Sequence, residues 1–238
     1  MTLARHEPRP GFFRARLSPD GYLGLHLTIG VVILLMAMLV FGHIAEDVFT
    51  GDAIVRLDLQ VSAWFYAHAT PALTAFFLFF TNLHGTVGVL ALTLLFALFL
   101  VKKRAWDWVL RVVLCVPLGM LLNVLLKNIF HRARPSFEHP LLTLTSYSFP
   151  SGHAAAATLL YGVLAAYLVC IFQGWRRVLI VCLALGLVAL VGLSRIYLGA
   201  HYLSDVAAAM ASSTGWLAIV LTSVATWRKR QTALMQAC

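Results

Sequence analysis
Three short stretches of this 238-residue chain carry residue types able to act on a phosphate. "PSGH" spans Pro150 to His153 at the head of a long run of small apolar residues. "KNIFHRARP" places Lys127 and Arg134 with six residues between them and Pro135 behind. "SRIYLGAHYLSD" carries Ser194, Arg195, His201 and Asp205. Ser151 suits an N-cap, with Gly152 and His153 in the first helical turn. Such a helix start offers unpaired N–H groups and the positive end of the helix dipole, and Gly152 lets an anion approach the backbone. Taken alone, these four residues would serve equally as a plain polar helix start.

Lys127, Arg134 and Arg195 supply cations, and His153 and His201 supply two imidazoles, without matching carboxylates. A bound dianion such as a phosphate group would relieve their mutual repulsion. His201 and Asp205 stand four apart, so on a helix they share a face. The carboxylate then fixes one ring nitrogen and leaves the other free to attack, and His153 can protonate a leaving oxygen. Nucleophile, orienting carboxylate, acid and phosphate cradle together describe covalent phosphoryl transfer. Two-metal hydrolysis is the competing chemistry, and it needs several oxygen ligands. Of Glu46, Asp47, Asp52, Asp58, Glu138 and Asp205, only the last belongs to these stretches. The expectation is a reaction without metal or other cofactor.

A membrane must frame these residues. The composition is 61% hydrophobic and 11% charged, with a mean hydropathy of +0.87, far from the roughly one-quarter charged content of soluble domains. The net charge of +9 lies in short clusters between apolar runs, which marks membrane topology rather than a nucleic-acid partner. Gaps between charges outline six spans, near 22–44, 85–101, 106–130, 151–172, 177–193 and 202–227. The first is longer than the core of a secretion signal and is expected to be retained. Backbone groups in a bilayer must be satisfied within each span, so the fold class is all-α: a polytopic bundle of six transmembrane helices forming a single domain over 1–238, with its motif-bearing core at 106–227. The fifth span is short, with Arg177 and Arg195 placed to snorkel at its ends.

Orientation follows from Lys and Arg. Arg5, Arg9, Arg14 and Arg16, then Lys102, Lys103, Arg104 and Arg111, then Arg176 and Arg177, and finally Arg228, Lys229 and Arg230 fall on one side. The positive-inside rule makes that side, and both termini, cytoplasmic. Arg56, Lys127, Arg132, Arg134 and Arg195 then face outward with the three stretches. Between the first two spans, Ile54, Leu57, Val61, Trp64 and Phe65 recur at helical spacing over 52–68, with Arg56, Asp58, Gln60 and Ser62 in the other positions. A helix lying on the outer membrane surface and a packed connecting helix both fit. Thr70 and Pro71 end it, and the following apolar run breaks at 82–85. Cys115, Cys170 and Cys182 in apolar runs, and the terminal Cys238, are expected to be small buried hydrophobes rather than ligands or disulfides. His26, His43, His68 and His84 mark polar or interfacial positions. Arg132 suits a snorkelling surface charge, while His131 and His139 belong to a loop on the same face, solvated or in contact with a headgroup, in which Phe137, Leu141, Leu142 and Leu144 either border lipid chains or cap the bundle. The alanines at 154–157 and 207–209 suit close helix packing.

On these residues the sequence resembles the type 2 phosphatidic acid phosphatase superfamily, which also includes vanadium haloperoxidases. Its three signatures, Lys-x6-Arg-Pro, Pro-Ser-Gly-His and Ser-Arg-x5-His-x3-Asp, are intact here as Lys127/Arg134/Pro135, 150–153, and Ser194/Arg195/His201/Asp205. They extend over about a third of the chain. The resemblance implies that His201 attacks phosphorus to give a phosphohistidine, with Asp205 supporting it. His153 would protonate the departing group and later assist water. Lys127, Arg134, Ser151, Gly152 and Arg195 would hold the phosphoryl oxygens, without a metal.

The function expected is a membrane lipid phosphatase in a bacterial inner membrane, with its site at the periplasmic face. Its substrate partner would be a lipid phosphate or polyprenyl diphosphate: phosphatidic acid, phosphatidylglycerol phosphate or undecaprenyl diphosphate. Lipid-to-lipid phosphotransfer, vanadate-dependent haloperoxidase chemistry and a silent lipid phosphate carrier are the alternatives. The last has no use for an oriented nucleophile.

Overall fold
A computed structural model describes residues 16, 18, 24–51, 53–142 and 144–237. Arg5, Arg9, Arg14, Asp52, Cys238 and the first residues of the 22–44 span lie outside them. Among the described residues the chain forms eight helices and no strand: α1 Leu25–Thr50, α2 Ala53–Ala67, α3 Pro71–Leu83, α4 Thr86–Lys102, α5 Trp106–Phe130, α6 Gly152–Ile171, α7 Trp175–Tyr197 and α8 Leu203–Ala237. Local chemistry sets their ends. Gly51 closes α1 in the left-handed region at φ 76°, where glycine carries no Cβ penalty. Thr70 caps α3 by accepting the Leu73 N–H on its side chain, with Pro71 at the first position, where a missing N–H costs nothing.

α1, α5, α6, α7 and α8 are long and apolar enough to cross a membrane. α4 has 17 residues, the short limit for a span. Its N-cap, Gly85, sits where a Cβ would lie 3.8 Å from His153 Nε2. Its other end is joined to α5 through 103–105. α4 therefore runs from one end of the bundle to the other. By length and apolarity the crossings among the described residues number five, or six when the bent α2–α3 pair counts as one. α1 and α8 pack along each other, and His26 Nε2 meets Thr226 Oγ1 at 3.1 Å, so the two outermost spans begin and end at the same end of the bundle. Arg228 donates to Asp107 at 2.6 Å there.

The central core joins α4, α5, α6 and α8 through Val89, Leu100, Val116, Leu159, Val163 and Leu217. Small residues let these helices approach closely. A Cβ on Gly119 would sit 2.7 Å from Leu159 Cδ1 and 2.8 Å from Trp216 Cδ1, and one on Gly162 would collide with Leu217. The alanines at 154–157 are all buried, as are Ala208 and Ala209.

The link between the first two spans differs from its sequence pattern. α2 and α3 meet at 118°. Ile54, Val61 and Phe65 pack inward, but the buried residues of α2 are Asp58 and Ser62, while Leu57, Leu59 and Trp64 are exposed. α2 is thus a packed connecting helix that turns Asp58 and Ser62 toward protein and leaves Arg56 and Gln60 exposed. α3 runs along α7, with Phe77 against Tyr197 and Leu198, before the break at His84 and Gly85.

Three further expectations are corrected. Arg195 does not snorkel: α7 extends past the 177–193 estimate to Tyr197, and Arg195 is 1% exposed. Cys170 and Cys182 are exposed, whereas Cys115 is buried, because an apolar residue in a membrane helix is as well placed against lipid as in the core. His84 is not interfacial but buried, with Nδ1 at 2.9 Å from the Phe80 carbonyl and Nε2 at 2.6 Å from Tyr161 Oη.

Candidate active site
One end of the bundle holds a cavity of about 410 Å³ whose lining includes Lys127, Arg134, Gly152, His153, Arg195 and His201. Three sequence-distant stretches therefore meet in one pocket: the end of α5, the start of α6, and the turn between α7 and α8. The 131–151 loop is tied back on itself by Ser148, whose N–H donates to Arg132 O at 2.8 Å and whose hydroxyl donates to Ala133 O at 2.9 Å. The Ser151 N–H donates to Asp205 O at 3.0 Å, fastening the start of α6 to that of α8.

The cations are held by backbone carbonyls and hydroxyls rather than by carboxylates. Arg134 donates to Ser146 O at 2.6 Å, Ala200 O at 2.5 Å and Tyr147 O at 3.1 Å. Lys127 Nζ donates to Tyr147 O at 2.6 Å, and Arg195 Nη1 to Thr81 Oγ1 at 2.8 Å. Neutral acceptors fix direction without cancelling charge, so the pocket stays cationic. Burial lowers the Arg134 pKa while Asp205 opposes it; a guanidinium stays protonated regardless.

Ser151 occupies the N-cap position of α6, yet its side chain makes no capping bond. Its hydroxyl is one of seven buried side-chain atoms without a hydrogen-bond partner among the described residues, and Asn123 Nδ2, Arg195 Nε and Arg195 Nη2 are three others. Unpartnered buried polar groups are costly and rare. Here four gather at or beside one cavity, three are pure donors, and the fourth is a hydroxyl able to donate. Such a set fits a ligand made of acceptor oxygens.

His201 is 1% exposed and sits in the turn before α8, not on the helix. The shared helical face expected of His201 and Asp205 is therefore replaced by a turn, and the contact survives for another reason. Asp205, in the first turn of α8, reaches back to accept the Tyr202 N–H at 2.9 Å, and His201 Nδ1 lies 3.4 Å from the same Oδ2. With a carboxylate on Nδ1, that nitrogen carries the proton and the Nε2 lone pair faces the cavity, 3.3 Å from Arg134 Nη1. Burial pushes the His201 pKa down to about 4 against the pull of Asp205. The ring is neutral at neutral pH, as a nucleophile requires.

Several site residues escaped the sequence pattern. Arg132, read as a snorkelling surface charge, instead donates to Asp205 at 2.6 Å, Ser204 Oγ at 2.7 Å and Asp58 at 2.8 Å. Burial lowers its pKa, but the two carboxylates outweigh burial and raise it overall. Asn123 lines the cavity one turn before Lys127; a polar side chain inside an apolar span was its available signal. Thr81, Ser146 and Ser204 gave none. Leu144 borders the cavity, whereas Phe137 stacks on Tyr66 and Leu141 joins the α3–α7 contact, capping the bundle.

Residues 108–230, just over half of the chain, match the model of the PAP2 superfamily. The chain belongs to the PAP2 superfamily. It is 39% identical over 106 residues to phosphatidylglycerophosphatase B of Bacillus subtilis (strain 168), an overlap of 44% of this chain and 51% of that protein. It is 35% identical over 115 residues to lipid A 1-phosphatase of Rhizobium etli, 44% of this chain and 45% of that one. The chain thus spans about half the length of the curated relatives it matches. The crystal structure of a transmembrane PAP2-type phosphatidylglycerolphosphate phosphatase from Bacillus subtilis aligns with a TM-score of 0.70 at 30% identity, covering 80% of this chain and 94% of that one. Aquifex aeolicus LpxE aligns with a TM-score of 0.57 at 25% identity, covering 69% and 94%. This PAP2 protein is therefore a multi-pass membrane protein whose relatives are lipid phosphatases.

Proposed function
We propose that this PAP2 protein is a membrane lipid phosphatase that removes a terminal phosphate from a glycerophospholipid phosphate through a phosphohistidine on His201. The observation that carries the reading is the His201 ring, held by a buried carboxylate on one nitrogen while the other opens into a pocket of cations and unpartnered donors. In the first step Nε2 attacks phosphorus, the P–O bond to the lipid breaks, and His153 gives its proton to the leaving oxygen. In the second, His153 takes a proton from water as that water attacks phosphorus. The P–N bond breaks and phosphate departs. Lys127, Arg134, Arg195, Ser151 and the α6 N-terminus at Gly152 hold the phosphoryl oxygens throughout.

The donor set supports chemistry without a metal. Asp58 and Asp205 are both committed to Arg132, and no three His, Cys, Asp or Glu side chains converge among the described residues. The preference for a glycerophospholipid rests on the phosphatidylglycerolphosphate phosphatases among the relatives. Met120, Val124 and Leu144 give the cavity an apolar side that suits a lipid chain of either kind, glycerophospholipid or polyprenyl. The clusters of Lys and Arg at the opposite end of the bundle favour a cytoplasmic location for that end, with the pocket opening at the periplasmic face of the inner membrane.

The deciding experiment follows phosphate release from phosphatidylglycerol phosphate, phosphatidic acid and undecaprenyl diphosphate by the detergent-solubilised protein, with excess chelator, alongside His201→Ala. Turnover with chelator, an acid-labile and alkali-stable phosphoenzyme, and loss of both in the variant are expected. Full activity in His201→Ala, or chelator inhibition reversed by a divalent cation, would refute the mechanism.

A further inference from the structure
Behind the His201–Asp205 pair lies a second carboxylate outside every signature stretch. Asp58 of α2 is completely buried. Its Oδ2 accepts from Arg132 Nη2 at 2.8 Å and takes the Ser204 hydroxyl in a short contact. Its Oδ1 accepts the Ser204 N–H at 2.9 Å, capping the first turn of α8 from another helix. The Arg132 fork then reaches Asp205 Oδ1 at 2.6 Å, and its plane lies 4.3 Å from the Tyr202 ring centroid. Asp58 therefore touches the residue before Asp205 directly and Asp205 through one guanidinium.

We propose that Asp58 is a positioning residue for phosphoryl transfer, fixing Asp205, and through it the His201 ring, in the attacking geometry by way of Arg132 and Ser204. The inference rests on the reading of His201 as nucleophile. Two physical considerations carry it. The first is geometric. The His201–Asp205 contact is already long at 3.4 Å, so a small swing of the carboxylate breaks it. With Asp58 in place, one guanidinium is shared between two carboxylates. Without that charge, Arg132 turns wholly onto Asp205 and competes with the His201 Nδ1–H for the same group.

The second is charge. Asp58, Arg132 and Asp205 together carry one net negative charge, buried behind the ring. As Nε2 bonds to phosphorus the ring becomes cationic, and that charge compensates it. Neutralising Asp58 removes the compensation at the moment the ring needs it and leaves the phosphate cradle untouched. The effect falls on the chemical step rather than on ground-state binding. A carboxylate is also costly to bury on a connecting helix unless it is paired, and here every contact it makes leads toward the nucleophile.

The test compares wild type, Asp58→Asn, Arg132→Gln, the double variant and His201→Ala, measuring kcat and KM for released phosphate. Asp58→Asn is expected to lower kcat roughly 10- to 100-fold, the range for removing an outer partner that orients a reacting ligand, with KM within about threefold. In the Arg132→Gln background the same substitution should change kcat by less than about threefold, because its main route is gone. A merely structural role would lower active protein without that dependence on Arg132. If Asp58→Asn does not fold, the double variant, which removes the buried pair together, is compared with Arg132→Gln. Equal slow turnover supports the inference, and wild-type kcat in the double variant overturns it. Wild-type kcat in Asp58→Asn with a dead His201→Ala overturns the inference alone, whereas an active His201→Ala overturns the mechanism beneath it.

Discussion

Replacing Gly152 by alanine separates the stability of the α6 start from its service to phosphate. A Cβ there would meet only Asn123 Oδ1, at 3.7 Å, an ordinary contact. Gly152 is also not among the glycines with positive φ. Alanine is the better helix former by up to about 1 kcal/mol in a helix interior, so the thermal midpoint of Gly152→Ala should equal or slightly exceed that of the wild type. The same methyl stands between the first-turn N–H groups and a phosphoryl oxygen. Losing one hydrogen bond to a charged group costs about 1.5–3 kcal/mol, which corresponds to a roughly 10- to 150-fold drop in kcat/KM. Phosphate release from a solubilised lipid phosphate gives kcat/KM, vanadate inhibition reports occupancy of the cradle, and thermal unfolding reports the fold. The expected result is a fully stable protein with depressed kcat/KM and weakened vanadate inhibition. Wild-type kcat/KM and vanadate sensitivity in a stable variant would show that phosphate does not bind at the start of α6.

Three further outcomes test other parts of the structure. The His201 pKa is lowered by burial to about 4 from 6.5, so between those values the unfolded chain binds the extra proton. Its contribution to stability is complete above about pH 6.5 and is lost as pH falls through about 4, on the order of 3 kcal/mol. Thermal midpoints measured from pH 7 to pH 4 should fall, and less steeply in His201→Ala. Gly119→Ala forces a methyl to within 2.8 Å of both Leu159 and Trp216, and the Trp216 ring is held by its bond to Leu114 O at 2.9 Å. Overpacking of about 1–3 kcal/mol should lower the thermal midpoint by about 2–12 °C with kcat/KM of the folded protein preserved. Arg134→Lys keeps the charge but cannot reproduce a fork that spans Ser146, Tyr147 and Ala200. A drop of at least about 10-fold in kcat/KM is expected, and unchanged kinetics would reduce Arg134 to a point charge.

The pocket was legible in the sequence because its residues stand in short contiguous stretches whose spacing carries chemistry. A Lys and an Arg at the end of one span, a Ser-Gly-His at the start of the next and a His–Asp pair before the last each point to the same end of the bundle. The all-helical, many-times-crossing architecture was legible for a similar reason, since unsatisfied backbone in lipid leaves few alternatives. Other features were lost because the rules that locate spans assume that charge marks a boundary. Arg195 was treated as the edge of a span and lies buried inside a helix, held by Thr81. Asp58 and Ser62 fell between the apolar positions of 52–68, a pattern that fitted a surface helix and a packed connecting helix equally. In this bundle the exposed side of α2 carries Leu57, Leu59 and Trp64 beside Arg56 and Gln60, and Asp58 and Ser62 turn inward.

That inversion has a general physical basis, and the whole molecule follows it. Where lipid replaces water, a polar side chain gains nothing from the outside of the bundle and must find partners within it. The buried polar residues are accordingly not scattered. Thr93 and Thr158 satisfy themselves on the carbonyl one turn back, at 2.7 Å and 2.8 Å, and have no further demand on the fold. Apart from these and Ser213, the buried polar residues gather at the pocket end: Asp58, Ser62, Thr81, His84, Asn123, Ser148, Ser151, Ser194, Arg195, His201, Ser204 and Asp205. They come from five of the eight helices and from three of the connections between them, so no single stretch of sequence announces the set. Hydrophobic periodicity cannot find them either, because they lie in connections or stand as one or two exceptions within a helix. A polar residue that breaks an apolar span without a nearby backbone acceptor to satisfy it is therefore the better guide to the site in such a chain, and Asn123 and Arg195 both carry that mark.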